Sequence, residues 1–273
     1  MVVHPHAPVT ARADPTGPAR PGPADLRTDP PRWLGARWWG TGLTGVASGA
    51  HAAEKLRRDG GPQVLPVRVD LAREQGVQEL VAAVEATGRP LEALALNAGR
   101  GTGGAFVGGT DLRDELEVVD LNVRSTVHLA KRLLPGMVQR GAGRVLFTSS
   151  IAATMPGPFQ AVYNASKSFV QSFAEALRNE LKDTGVTVTA LLPGPTDTAF
   201  FERADMGDTR VGSGKKDDPA QVAAQGFAAL MKGDQTVTAG SLVNKVQTAA
   251  GKIVPDKLKA AQHRRMAEPG SGD

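Results

Sequence analysis

The sequence contains a single tyrosine, Tyr163, which stands four residues before Lys167 in the run YNASK. On a helix, residues four apart share a face, so the phenol and the ammonium would lie side by side. A phenol with an ordinary pKa near 10 is a poor acid or base at neutral pH. An adjacent ammonium favours the phenolate and brings the group toward the range that general acid–base chemistry needs. Ser150 lies thirteen residues upstream, just after the apolar run RVLFT. From there its hydroxyl could bond the oxygen that Tyr163 protonates, as an oxyanion donor. Taken alone, Tyr-x-x-x-Lys is a weak motif that reads more readily as a half-buried tyrosine beside a solvated lysine.

Other chemistries find less support. The chain has no Cys, which excludes a disulfide scaffold, a thiol nucleophile and thiolate metal sites. Of the five His, only His128 falls deep in the regular region; no G-x-S-x-G accompanies it, and His4 and His6 sit in a proline-rich stretch. No metal site is expected. Basic residues number 32 against 28 acidic, a net charge of +4. Two of those four charges come from residues 1–45, and the rest are scattered, so a solvated surface is expected and no nucleic-acid partner. No stretch approaches the ~18 apolar residues of a membrane span, and no secretory signal is visible, which makes a cytoplasmic protein the expectation.

The elements that must position these residues emerge from about residue 50. Ala52–Arg58 and Glu74–Ala86 read as helices, the second with Val77, Leu80, Val81 and Val84 on one face. Val64–Val69, Leu91–Leu96, Arg144–Thr148, Val186–Leu192 and Thr236–Ala239 read as strands. Asp114–Arg140, with Pro135 bending or breaking it late, Gln160–Asp183 and Gln221–Met231 read as helices. Such alternation predicts an α/β fold with a parallel sheet covered on both faces and a site beyond the carboxyl ends of its strands. Asp70, Asn97-Ala98-Gly99, Ser149-Ser150 and Pro193-Gly194 should gather there.

Asn97-Ala98-Gly99, Asp120-Leu121-Asn122, Ser149-Ser150, Tyr163-x-x-x-Lys167 and Pro193-Gly194-x-x-x-Thr198 occur in that order. The series resembles the classical short-chain dehydrogenase/reductase family, over roughly residues 46–240. The resemblance implies a single Rossmann-like domain that uses NADP or NAD on a small carbonyl or alcohol substrate. It further implies that Tyr163 is the general acid/base and that Lys167 lowers its pKa and holds the nicotinamide ribose. Ser150 would orient the substrate carbonyl, and Asn122 would maintain a kinked helix and a water leading to Lys167. Asp70 would lie near the adenine, Asn97, Ala98 and Gly99 along the cofactor cleft, and Pro193, Gly194 and Thr198 near the nicotinamide. Homo-oligomers are usual in the family, commonly through the helices Asp114–Arg140 and Gln160–Asp183. Residues Ala199–Asp217 read as a substrate lid.

The family's T-G-x-x-x-G-x-G signature, whose glycines let the backbone approach a pyrophosphate, is missing. Its nearest counterparts are the run from Thr44 to His51, which lies only 26 residues before Asp70, and Thr16-Gly17, followed by prolines. Eight of the 19 prolines fall in residues 1–31, which excludes a regular element there. At most one weak strand, Leu43 to Ser48, is expected before residue 50. The expected organisation is an irregular segment at 1–45, read in a shifted frame or from a misassigned start, then a domain at 46–255 and a polar tail at 256–273. No acidic residue stands in Val46–Gly49 to accept an adenosine 2′-hydroxyl, which points to NADP over NAD. The alternative is a non-catalytic or defective relative unable to bind dinucleotide, acting as a partner-binding protein.

Overall fold

The computed structural model describes residues 64–241, Asn244 and residues 254–272. Four parallel strands form one sheet in the order β1 (Ala93–Leu96), β2 (Gly143–Thr148), β3 (Val186–Pro193), β4 (Thr236–Ala239). Leu96 is in register with Phe147, Thr148 with Leu191, and Pro193 with Ala239. Parallel neighbours require crossovers, and the long helices supply them. Helix α1 (Glu74–Glu85) precedes β1, and the crossover helices are α2 (Leu112–Val119), α3 (Ser125–Arg140), α4 (Ala161–Glu180) and α7 (Pro219–Lys232). Two short helices, α5 (Phe200–Arg203) and α6 (Arg210–Ser213), lie between β3 and α7, and α8 (Asp256–Ala267) follows β4.

Side chains alternate across a strand, so the sheet has two different faces. Leu94, Leu96, Val145, Phe147, Val188 and Ala190 bury against α1, α3 and α4. Ala93, Ala95, Leu146 and Leu191 face Val222 and Leu230 of α7. On α1 the buried apolar residues are Val77, Leu80, Val81 and Val84, the face expected from their spacing. Phe147 is fully buried and meets Phe173 of α4 edge-on, ring centroids 5.7 Å apart. Each fully buried side chain of this size contributes roughly 1.5–3 kcal/mol.

Two expectations fail instructively. Val64–Val69 carries no strand: Pro66 has no N–H to donate, and among the described residues β1 pairs with β2 alone. Val67 and Val69 still pack, partly buried, against the core. The Asp114–Arg140 stretch is interrupted at Asp120–Arg124, a π-helical turn, and runs unbroken through Pro135. The lost hydrogen bond at Pro135 costs about 3 kcal/mol, which burial of Leu133, Leu134 and Met137 around it offsets. At the π turn, Ser125 Oγ donates to Leu121 O at 2.5 Å and Thr126 Oγ1 to Asn122 O at 2.8 Å. Side-chain donors thus serve carbonyls that the helical ladder there serves poorly.

The Leu43–Ser48 strand, the Ala52–Arg58 helix and the whole 1–45 segment lie outside the described residues. Among those described, no helix is long and apolar enough to cross a membrane.

Candidate active site

Beyond the carboxyl ends of the strands lies a cavity of about 1020 Å³. Asp70, Asn97, Gly99, Ser150, Tyr163, Lys167, Pro193, Gly194 and Thr198 all line it. Ala98 and Asn122 do not.

β2 ends at Thr148, and the chain turns through Ser149 and Ser150 into a short 3₁₀ segment, Ile151–Thr154. Ser149 Oγ donates to Lys167 O at 2.8 Å, tying that strand end to α4. Ser150 caps the 3₁₀ segment by accepting from the Ala152 N–H at 3.1 Å. Its hydroxyl donates to Pro193 O at 3.4 Å and lies close enough to the Tyr163 phenol to favour its ionised form. On α4, Tyr163 and Lys167 share one face, with Nζ 5.9 Å from the ring centroid. Lys167 Nζ donates to Thr148 O at 2.9 Å. Phe200 of α5 packs on the Tyr163 ring at 5.2 Å between centroids.

Burial dominates the titration of both groups. It pushes the Tyr163 phenol up to about 12, against the opposing Ser150 hydrogen bond. It pulls the Lys167 ammonium down to about 8. The sequence-level expectation that Lys167 lowers the Tyr163 pKa is outweighed here, because a phenolate 8% exposed loses more hydration than its neighbours restore.

Asn122 works from behind the cavity wall. Its Oδ1 accepts from the Arg100 N–H at 2.9 Å, and its Nδ2 donates to Arg100 O and to Ser166 Oγ, each at 2.9 Å. Ser166 Oγ donates in turn to Tyr163 O at 2.7 Å. The π turn therefore clamps the loop after β1 to α4, between Tyr163 and Lys167. Gly99 is part of the same packing: a Cβ there would lie 3.1 Å from Lys167 Nζ and 3.2 Å from Asn122 Oδ1.

Asp70 is exposed at the cavity's edge, where its carboxylate accepts from the Ala72 N–H at 3.0 Å. Thr148 Oγ1 donates to Asn97 Oδ1 at 2.8 Å. The Pro193-Gly194 turn is held by the Asp217 N–H, which donates to Pro195 O at 2.8 Å. The Ala199–Asp217 segment folds into α5 and α6 against the loop after β1, with the Gly103 N–H donating to Ala204 O at 2.8 Å.

Several residues of the site were not foreseen. Arg100 hydrogen-bonds Glu117 and bonds Asp114 at 3.0 Å, bracing the loop against α2. Met155, Gln160, His263 and Met266 line the cavity, the last two from α8. One signal was available: Gly99-x-Gly101-x-x-Gly104 follows β1. It does not form a phosphate cradle, since α2 begins only at Leu112 and a Cβ at Gly101 would strike the Phe200 ring at 2.5 Å. Gly101, against Phe200, and Gly103, against Met206 and Ala204, let the lid lie flat on the loop.

A parallel α/β sheet with a Tyr-x-x-x-Lys helix beside its strand ends defines the class. The model of the short chain dehydrogenase family matches residues 43–208, and the chain belongs to that family. A short chain dehydrogenase of Pseudocercospora fijiensis is 34% identical over 146 residues, 53% of this chain. The chain spans about half of that relative, 47% of its length. Sulfoacetaldehyde reductase 2 of Chromohalobacter salexigens is 31% identical over 180 residues, 66% of this chain and 71% of the relative. Among solved structures, a 3-oxoacyl-[acyl-carrier protein] reductase with bound NAD from Brucella melitensis is 28% identical, with a TM-score of 0.58. That match covers 71% of this chain and 76% of the other.

Proposed function

We propose that this chain is an NAD(P)-dependent oxidoreductase acting on a ketone or secondary alcohol, with Tyr163 as general acid/base. The observation that carries this reading is the convergence of Ser150, Tyr163 and Lys167 on one end of the cavity. Two relatives named as reductases of carbonyl compounds support it.

A bound nicotinamide would give or take the hydride. The residues suited to hold it are Lys167, Asn97, Ala98, Gly99, Pro193, Gly194 and Thr198, with Asp70 toward the adenine. Gly99 supports the fit, because its bare backbone lets the loop close on Lys167. The Val46–Gly49 stretch, without a carboxylate, favours NADP over NAD.

In the reducing direction, Ser150 Oγ bonds the substrate carbonyl oxygen and Tyr163 delivers a proton to it. A phenol held at about 12 is protonated at neutral pH, so Tyr163 enters as the acid. Lys167, charged below about pH 8, stabilises the phenolate that remains. Asn122 and Ser166 hold α4 in place. A second copy of the chain is the expected partner, through α2, α3 and α4, where Leu116, Val119, Val127 and Phe169 are exposed. Light scattering on the purified chain tests that association.

One observation favours a second reading, a family relative that does not bind dinucleotide: T-G-x-x-x-G-x-G occurs nowhere in the sequence. Thermal shift with NADPH and NADH separates the two. Binding stabilises the fold by RT ln(1 + [L]/Kd), so ligand at about a hundred times Kd adds about 2.7 kcal/mol. No shift with either dinucleotide selects the second reading.

A further inference from the structure

The helix α8 joins the site although its sequence shows little apolar periodicity. Lys259 Nζ donates to Thr154 O at 3.2 Å, and the Arg264 guanidinium lies over the Phe159 ring at 5.1 Å. Ala267 packs in a cluster with Phe201, Ala204 and Met206, against which Phe200 also packs. Phe200 in turn rests on the Tyr163 ring. The helix is therefore fastened both to the segment leading into α4 and to the lid, and it presents His263 and Met266 to the cavity.

His263 is 5% exposed, with Nδ1 3.1 Å from Pro158 O. A carbonyl oxygen only accepts, so Nδ1 carries the proton and the neutral ring leaves Nε2 as an acceptor. Burial lowers the pKa of this imidazole, which keeps it neutral. Among the described residues Nε2 has no hydrogen-bond partner. Met155, Phe200, Phe201, Val211 and Met266 line the same cavity with apolar side chains, and Gln160, Thr198 and Arg203 add polar ones. A wholly apolar ligand would leave that acceptor unmatched, and a carboxylate would oppose its lone pair.

We propose that His263 is a specificity-determining residue whose Nε2 accepts a hydrogen bond from a hydroxyl carried on the apolar body of the substrate, away from its carbonyl. The proposal rests on the reading of this cavity as the site of a ketone or secondary alcohol. It restricts that class to hydroxy-ketones and their diol counterparts.

The test uses straight-chain methyl ketones of increasing length, each paired with its terminal-hydroxy counterpart. Dissociation constants are read by ligand-observed NMR on the full chain, alone and with NADPH. At the matching length the hydroxy-ketone should bind about tenfold tighter. His263→Asn keeps an N–H for Pro158 O and withdraws the acceptor from the cavity, so it should erase the preference. His263→Gln places an amide oxygen near the Nε2 position and should retain part of it. Equal binding of each pair at every length, a preference that survives in His263→Asn, or no binding of either class overturns the assignment. Turnover is followed in parallel with NADPH. Absence of turnover with hydroxyl preference intact removes the oxidoreductase reading and leaves His263 standing, whereas turnover without preference does the reverse.

Discussion

Asn122 Nδ2 lies 2.9 Å from Ser166 Oγ, and Ser166 sits on α4 between Tyr163 and Lys167. Through this contact the π turn fixes the helix that carries the reactive pair. Asn122 is 1% exposed, and removing its amide strands the Arg100 N–H and the Arg100 carbonyl. Each buried group left unsatisfied costs about 1–3 kcal/mol. Asn122→Ala should therefore lower thermal stability by several degrees and reduce kcat more than it raises KM. Asn122→Asp, which keeps the acceptor for the Arg100 N–H, should recover part of the stability. Unfolding curves and steady-state kinetics on both variants check this.

Tyr163→Phe keeps the ring packed on Phe200 and deletes only the hydroxyl. General acid–base catalysis contributes about 10²–10⁴, so turnover should fall by at least that factor while dinucleotide affinity holds. Ser150→Ala should cost about 10²–10³ as loss of an oxyanion donor. More than about a tenth of wild-type kcat in Tyr163→Phe removes the acid assignment.

The sheet was legible because strands β2, β3 and β4 are β-branched or apolar runs closed by Ser, Pro-Gly or Gly, and each lies within a residue or two of its expected span. Val64–Val69 has the composition of a strand, yet strands exist only as ladders, and composition carries no information about a partner. The break at Asp120–Arg124 was implied by the family resemblance, through a kinked helix at Asn122, but not by the local pattern. Pro135 announces itself by chemistry, whereas a π turn depends on hydroxyls at Ser125 and Thr126 bonding back to carbonyls four residues earlier.

That Tyr163 and Lys167 share a helix face was legible from their spacing, and the candidate role of the pair from the ordered series of motifs around it. The contacts around the pair were not. Arg100 reaches Asn122 across 22 positions, and His263 reaches Pro158 across 105, contacts that only the closed fold creates. Of α8, only His263 and Ala267 are buried, too few to mark a face in a polar sequence.

The lid rests on a glycine that has no room for a methyl group. A Cβ at Gly101 would stand 2.5 Å from the Phe200 ring, inside contact distance. Gly101→Ala should push Phe200 off Tyr163 and open the substrate end of the cavity, raising KM for ketone severalfold with little change in dinucleotide affinity. Gly207→Ala, where nothing lies within 4 Å of the added carbon, is the matched control and should behave as wild type.

Lys167 sets a conflict between stability and activity. Burial lowers its pKa from 10.5 to about 8. The folded chain then binds fewer protons than the unfolded chain between those values, and stability rises with pH across that window. The burden is present in full below about pH 8, where it amounts to about 3 kcal/mol. Lys167→Met removes it and leaves the Thr148 carbonyl without its donor, a loss of about 1 kcal/mol. The variant should therefore melt several degrees higher at neutral pH, and its stability should lose the rise between pH 8 and 10.5. Tyr163 works in the opposite sense: a phenol raised from 10 to about 12 makes stability fall as pH climbs through that range. Activity should run against stability at Lys167, because the charged form serves the reaction. Ketone reduction should decline as pH rises through about 8, and Lys167→Met should abolish it at every pH. Calorimetric melting from pH 7 to 11, with initial rates over the same range, measures both, and a variant that melts lower at pH 7 rejects the buried-charge account.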